Sequence, residues 1–132
     1  ITTNKDGLSE IGFYKIEPTE NAKNLFNSQK IFFQFHSEGF SLPTGCELLA
    51  RGDIFNNQAF KYQNCYALQF HPEVNFKLHI RWLYLVLLKN PKKLFVKGAQ
   101  NIFVQLYYRY KYNKNISNWL DSFLDQYFLK KT

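Results

Sequence analysis

At 132 residues and 15.8 kDa the chain is the size of one domain, and with 45% hydrophobic and 20% charged residues it is neither a disordered nor a collagen-like polymer. Cys46 and Cys65 are too few for a disulfide scaffold and too far apart for a zinc or redox motif, so reduced thiols and a cytoplasmic setting are expected. The formal charge of +7 lies in the C-terminal third: residues 1–88 carry eight basic and eight acidic residues, whereas residues 89–132 carry nine basic residues against Asp121 and Asp125 alone. Those cations interleave with Tyr107, Tyr108, Tyr110 and Tyr112, a pattern that suits single-stranded nucleic acid. Phe, Tyr, Ile, Asn and Lys nevertheless make up 58 of the 132 residues, so compositional bias explains the pattern and nucleic acid is not the expected partner. No apolar run approaches the roughly 20 residues of a membrane span and no leading segment resembles a secretion signal, so no membrane partner is expected either.

Residues 10–16 (EIGFYKI) read as a strand, rich in aromatic and β-branched types, that ends at the turn signal Pro18-Thr19. After a polar stretch, residues 31–35 read as a strand buried on both faces, which delivers His36 to a strand end. A loop rich in turn formers follows, through Gly39, Pro43 and Gly45. Short strands at 47–50, 58–62 and 65–70 then form a meander, with Gln63-Asn64 as a tight connection. Beyond Pro72 the period changes. Phe76, Ile80, Leu83 and Leu87 fall on one helical stripe, with Asn75 as N-cap and Asn90-Pro91 as stop. Two more helical patterns span about 99–110 and 117–128, the latter capped by Ser117.

Chemistry concentrates at Leu68-Gln69-Phe70-His71-Pro72-Glu73. Residues two apart in an extended chain share a side, so His71 and Glu73 can lie together. Pro72 supports this by fixing its own φ and keeping His71 out of helical geometry. An imidazole with a carboxylate beside it is two thirds of a nucleophilic triad. His79 reads as a boundary residue of its helix, since no second metal ligand stands at i+4, and Trp82 and Trp119 read as core. Arg51-Gly52-Asp53 reads as a turn.

The run Phe35-His36-Ser37-Glu38-Gly39-Phe40-Ser41-Leu42-Pro43-Thr44-Gly45, then Leu48-Leu49-Ala50, Gln58-Ala59-Phe60 and Leu68-Gln69-Phe70-His71-Pro72-Glu73-Val74, resembles the class I glutamine amidotransferases, most closely the GMP synthase-like branch. The resemblance extends upstream to Ser9-Glu10-Ile11-Gly12-Phe13 and downstream to Gly98-Ala99-Gln100 and residues 119–124. It implies an α/β fold, the C-terminal part of a flavodoxin-like amidotransferase domain, with short strands in a mixed sheet followed by three helices. It also implies glutamine as substrate, a Cys-His-Glu triad in which His71 is general base and acid and Glu73 orients it, substrate contacts from Ser37 and Glu38, and no cofactor or metal. Ser37 stands where the family usually has Gly.

The family's Cys sits in a Gly-x-Cys-x-Gly turn upstream of the segment that matches 10–13, and no such turn occurs in these 132 residues. Cys46 precedes Glu47 where the motif needs a second Gly, and Cys65 opens a strand, where burial as a small hydrophobe is expected. The whole of residues 1–132 therefore reads as a partial domain without the N-terminal, nucleophile-bearing half, inactive alone. Its expected partners are that missing half or a second copy of the chain, and an ammonia-accepting synthetase. Competing readings are a catalytically inactive interaction module and a basic nucleic-acid-binding protein.

Overall fold

The aromatic runs of the first third form the strands they predict. In the computed structural model, which describes residues 1–129, β1 (Thr2–Thr3), β2 (Glu10–Lys15) and β3 (Glu17–Pro18) precede β4 (Ile31–His36) and β5 (Glu38–Gly39). β6 (Glu47–Arg51), β7 (Ala59–Tyr62) and β8 (Cys65–Leu68) complete the strands. β2 and β4 pair antiparallel with Glu10 opposite His36 and Phe13 opposite Phe33. β3, β6, β7 and β8 form the meander in that order, and β1 pairs with β5. The β7–β8 turn places Gln63 at φ +53°, a left-handed conformation that a tight hairpin requires.

One contact gives the sheet its parallel component. Ile11 bridges Ala99 in parallel, and Gln100 extends this as a surrogate strand, its side chain accepting from the Phe13 amide at 2.8 Å and donating to the Phe13 carbonyl at 2.7 Å. Gly12 (φ +130°) leaves room for that amide; a Cβ there would overlap Gln100 Oε1. Gly98 (φ +92°) lets the chain pass close against the backbone of Ser9, whose carbonyl oxygen a Cβ would overlap. Gly98-Ala99-Gln100 is thus an edge seal for β2 as well as the approach to a helix.

Helix α1 (Phe76–Lys89) starts as expected, with the Asn75 side chain accepting from the Leu78 amide at 3.0 Å, and a 3-10 turn at Pro91–Phe95 follows it. The next two helical patterns are one continuous helix, α2 (Ile102–Leu124), capped by Asn101, which accepts from Phe103 at 2.8 Å. Lys111 to Asn115 contains neither Gly nor Pro, and a polar stretch without a breaker does not end a helix. Ser117 lies inside α2 and caps nothing, and a π-helical turn, Asp125–Leu129, closes the described chain. Three predicted helices are therefore two helices with short terminal turns.

The core is aromatic. Phe26 stacks on Trp119 at 5.4 Å, Phe32 on Phe70 at 4.2 Å, and Trp119 Nε1 donates to the Leu25 carbonyl at 2.8 Å. A buried indole with its N–H satisfied contributes both area and orientation, so α2 is fixed against β4 and against the segment that carries His71. Among the described residues no helix is long and apolar enough to cross a membrane.

Candidate active site

After β8 the chain keeps a two-residue alternation of burial through a segment that is no longer a strand. Phe70, Pro72 and Val74 are buried, whereas His71 and Glu73 face outward together. Glu73 Oε1 lies 2.9 Å from His71 Nδ1. A carboxylate accepts only, so Nδ1 carries a proton, and in the neutral ring Nε2 holds the lone pair, the arrangement a general base needs. Among the described residues Nε2 has no hydrogen-bond partner. The imidazole is 30% exposed and Glu73 56% exposed.

The surroundings hold the ring in place. The His71 amide donates to the Phe33 carbonyl at 2.8 Å, which ties the segment to β4. Trp82 of α1 meets the imidazole edge to face at 5.4 Å and also packs on Phe35 at 5.6 Å. Trp82 is thus the aromatic wall of the site as well as core, a role its position on an apolar stripe does not disclose.

Ser37 and Glu38 are exposed, and neither side chain hydrogen-bonds to His71 or Glu73. The loop is joined to the His71 segment through its backbone: the Glu38 carbonyl accepts from Gln69 Nε2 at 2.6 Å and lies 3.0 Å from His36 Nδ1. Gln69 is two residues before His71. Behind it lies a polar network absent from the sequence reading: His36 Nε2 is 3.0 Å from Glu10 Oε2 and 2.9 Å from Gln34 Oε1, and Gln58 Nε2 donates to Glu10 at 2.9 Å. Glu10, Gln34 and Gln58 are all buried. The available signal was polar residues inside the two most apolar strands, in a register that sets Glu10 against His36.

Cys46 and Cys65 are free and line one groove of about 370 Å³ with Pro43, Phe60, Tyr62 and Tyr66, at the end of β8 remote from His71. Cys65 is exposed, contrary to the burial expected of it, because it opens β8 beside a two-residue turn. His79 also departs from expectation: it is fully buried, between Gln105 and Arg109 of α2. Among the described residues no cluster of three or more His, Cys, Asp or Glu side chains is arranged to hold a metal ion.

No protein-family model matches the chain, and no curated protein matches it. Solved structures do. A glutamine amidotransferase of Thermotoga maritima superposes with a TM-score of 0.79 at 25% identity, over 95% of this chain and 53% of that one. A glutamine amidotransferase of Methylobacillus flagellatus superposes with a TM-score of 0.62 at 19% identity, over 91% of this chain and 54% of that one. The chain thus spans about half the length of the structures it matches.

Proposed function

We propose that this chain, whose fold is that of about half of a class I glutamine amidotransferase domain, supplies the imidazole and the carboxylate of a Cys-His-Glu site that hydrolyses the side-chain amide of glutamine. The observation that carries this reading is the His71–Glu73 pair, 2.9 Å apart on the outward side of a segment whose intervening residues are buried, with Nε2 open. In this reading the thiol comes from a complementing half of the domain, in which a Gly-x-Cys-x-Gly turn follows a strand. Nε2 takes the thiol proton, the thiolate attacks the amide carbon, and the C–N bond breaks as His71 returns the proton to the departing ammonia. Water, deprotonated by the same nitrogen, then attacks the thioester and releases glutamate. Glu73 holds the tautomer and stabilises the imidazolium between the two transfers.

The loop at 36–40, with Ser37 and Glu38, borders the glutamine. The chain's partners are the complementing half and, beyond it, a synthetase that consumes ammonia, in a cytoplasmic setting. A second copy of the chain brings no triad thiol, since Cys46 and Cys65 lie away from His71. Mixing the chain with the N-terminal half of an amidotransferase domain that carries the nucleophile turn, and following glutamate release, tests the reading. Turnover is expected from the mixture and from neither part alone. Turnover that survives His71→Ala unchanged, or a chain that hydrolyses glutamine alone through Cys46, overturns it. Complex formation without turnover favours an interaction module instead.

A further inference from the structure

The open pair at His71 is not the only place where a carboxylate holds an imidazole. Glu10, 1% exposed on β2, faces His36 on β4 across a register pair. His36 Nε2 looks at two acceptors, Glu10 Oε2 at 3.0 Å and Gln34 Oε1 at 2.9 Å, so it carries a proton. The other ring nitrogen, Nδ1, is in the neutral ring an acceptor: Gln69 Nε2 donates to it at 3.1 Å and to the Glu38 carbonyl oxygen at 2.6 Å, so the imidazole reaches that carbonyl through Gln69. The network is braced from behind: Gln58 donates to Glu10 at 2.9 Å and accepts from Gln34 Nε2 at 2.8 Å. The Phe55 ring packs on the imidazole at 5.1 Å and would meet a Cβ at Gly39 at 2.7 Å.

A carboxylate buried in an apolar sheet with no Lys or Arg partner among the described residues is a poor stabiliser compared with packed hydrocarbon. What a satisfied buried network does provide is one fixed geometry. Here the fixed object is a single backbone carbonyl in the loop beside the proposed glutamine site. We propose that His36, clamped by Glu10, is a positioning residue: its Nδ1 orients the Gln69 amide that holds the Glu38 carbonyl and so sets the shape in which the loop at 36–40 receives glutamine. This inference rests on the reading given above for that site.

The two ring nitrogens allow a clean dissection. In His36→Asn the side-chain amide oxygen falls where Nδ1 was and still accepts from Gln69. In His36→Gln the amide nitrogen falls where Nε2 was, keeps the contact to Glu10 and leaves Gln69 without that acceptor. Amide hydrogen exchange on the chain alone is expected to accelerate about five- to tenfold at residues 37–40 in His36→Gln, the value of one net hydrogen bond, with Asn restoring protection. Amides of Phe32 and Ala59 are expected to stay as protected as in the parent chain. Gln69→Ala, at a half-buried position, guards against a misfolded variant and is expected to loosen the same loop at least as much as His36→Gln. In the complemented assembly His36→Gln is expected to raise KM for glutamine about tenfold and to change kcat by less than about threefold, the signature of lost positioning. Equal loosening by Asn and Gln, loop exchange unchanged in both His36→Gln and Gln69→Ala, or a fall in kcat at constant KM overturns the clamp. The exchange measurement needs only this chain, so a mixture that never turns over counts against the proposed activity and leaves the clamp to be judged on exchange.

Discussion

His71 and His79 stand eight residues apart on either side of the Asn75 cap, and the fold treats them oppositely. His71 is turned outward with a carboxylate on Nδ1. His79 has no exposed surface: its Nδ1 accepts from Arg109 Nε at 3.3 Å and its Nε2 is 3.2 Å from Gln105 Oε1. One residue, Phe33, separates the two regions, taking the His71 amide on its carbonyl and packing its ring on His79 at 4.4 Å. Arg109 lies over Phe13 and Phe33, its guanidinium carbon 4.8 and 5.1 Å from the ring centres, and among the described residues its Nη1 and Nη2 have no acceptor. Burial, then the Arg109 charge, pulls His79 down to about 4, and burial pulls Arg109 to about 10. Burial first, and the guanidinium at Nδ1 second, disfavour the His79 imidazolium. Among the described residues, His79 has both ring nitrogens engaged, whereas His71 leaves Nε2 without a partner.

The largest expected effect tests that distinction directly. In the complemented assembly His71→Ala is expected to lower glutamine turnover by about 10⁴-fold or more, since removing a triad base costs more than removing the acid that orients it, while His79→Gln stays within about threefold of the parent. Equal losses would show that His79 also supports the reaction, and the contrast between the two would collapse. Stability supplies the next effect. The folded-state pKa of His79 lies near 4, below its ordinary 6.5, so between those values the unfolded chain binds a proton that the folded chain does not. Its stabilising contribution is complete above about pH 6.5 and is lost as pH falls toward 4, by about 3 kcal/mol in all. Urea unfolding at pH 7.5 and 4.5 should show this loss in the parent chain, and His79→Gln should remove it. Arg109→Met, which withdraws the second cause of the shift, should shrink the loss. At neutral pH the same variant should leave stability unchanged or raise it by about 1 kcal/mol, because it removes a buried cation with two unsatisfied amino groups. An unchanged pH slope in both variants would mean that other groups carry it.

How far the sequence discloses these regions depends on the range over which their signals act. His71 and Glu73 are joined by a proline and a two-residue period, both local, and the structure places them as the motif implies. Strands β2, β4 and β6 to β8 are legible for the same reason, since aromatic and β-branched runs between turn residues need no distant partner to be recognised. The continuous α2 is less so: Asn113 and Asn115 lower helix propensity without breaking it, and the choice is made by Ile116 and Trp119 docking on the core. His79, Arg109 and the Glu10–His36 clamp are illegible from any one segment. Each joins residues 26 or more positions apart, and a His on a helix stripe looks the same whether an arginine or water stands opposite.

The smallest expected effect sharpens the comparison most. If Glu73 were present to hold the fold together, Glu73→Gln would lower stability as breaking a buried pair does. Glu73 is 56% exposed and its partner ring 30%, so solvent screens the attraction and the pair is expected to contribute less than about 0.5 kcal/mol. A Gln oxygen can still accept from Nδ1–H, which keeps the ring oriented while removing the charge that stabilises the imidazolium. Thermal unfolding of Glu73→Gln near neutral pH should therefore coincide with that of the parent chain, while turnover in the complemented assembly drops by about 10²-fold or more. A destabilisation above about 1 kcal/mol would make the exposed pair a structural clasp and remove the reason for assigning it chemistry. Coincident melting with lost turnover leaves proton transfer as the property for which the segment turns these two side chains outward.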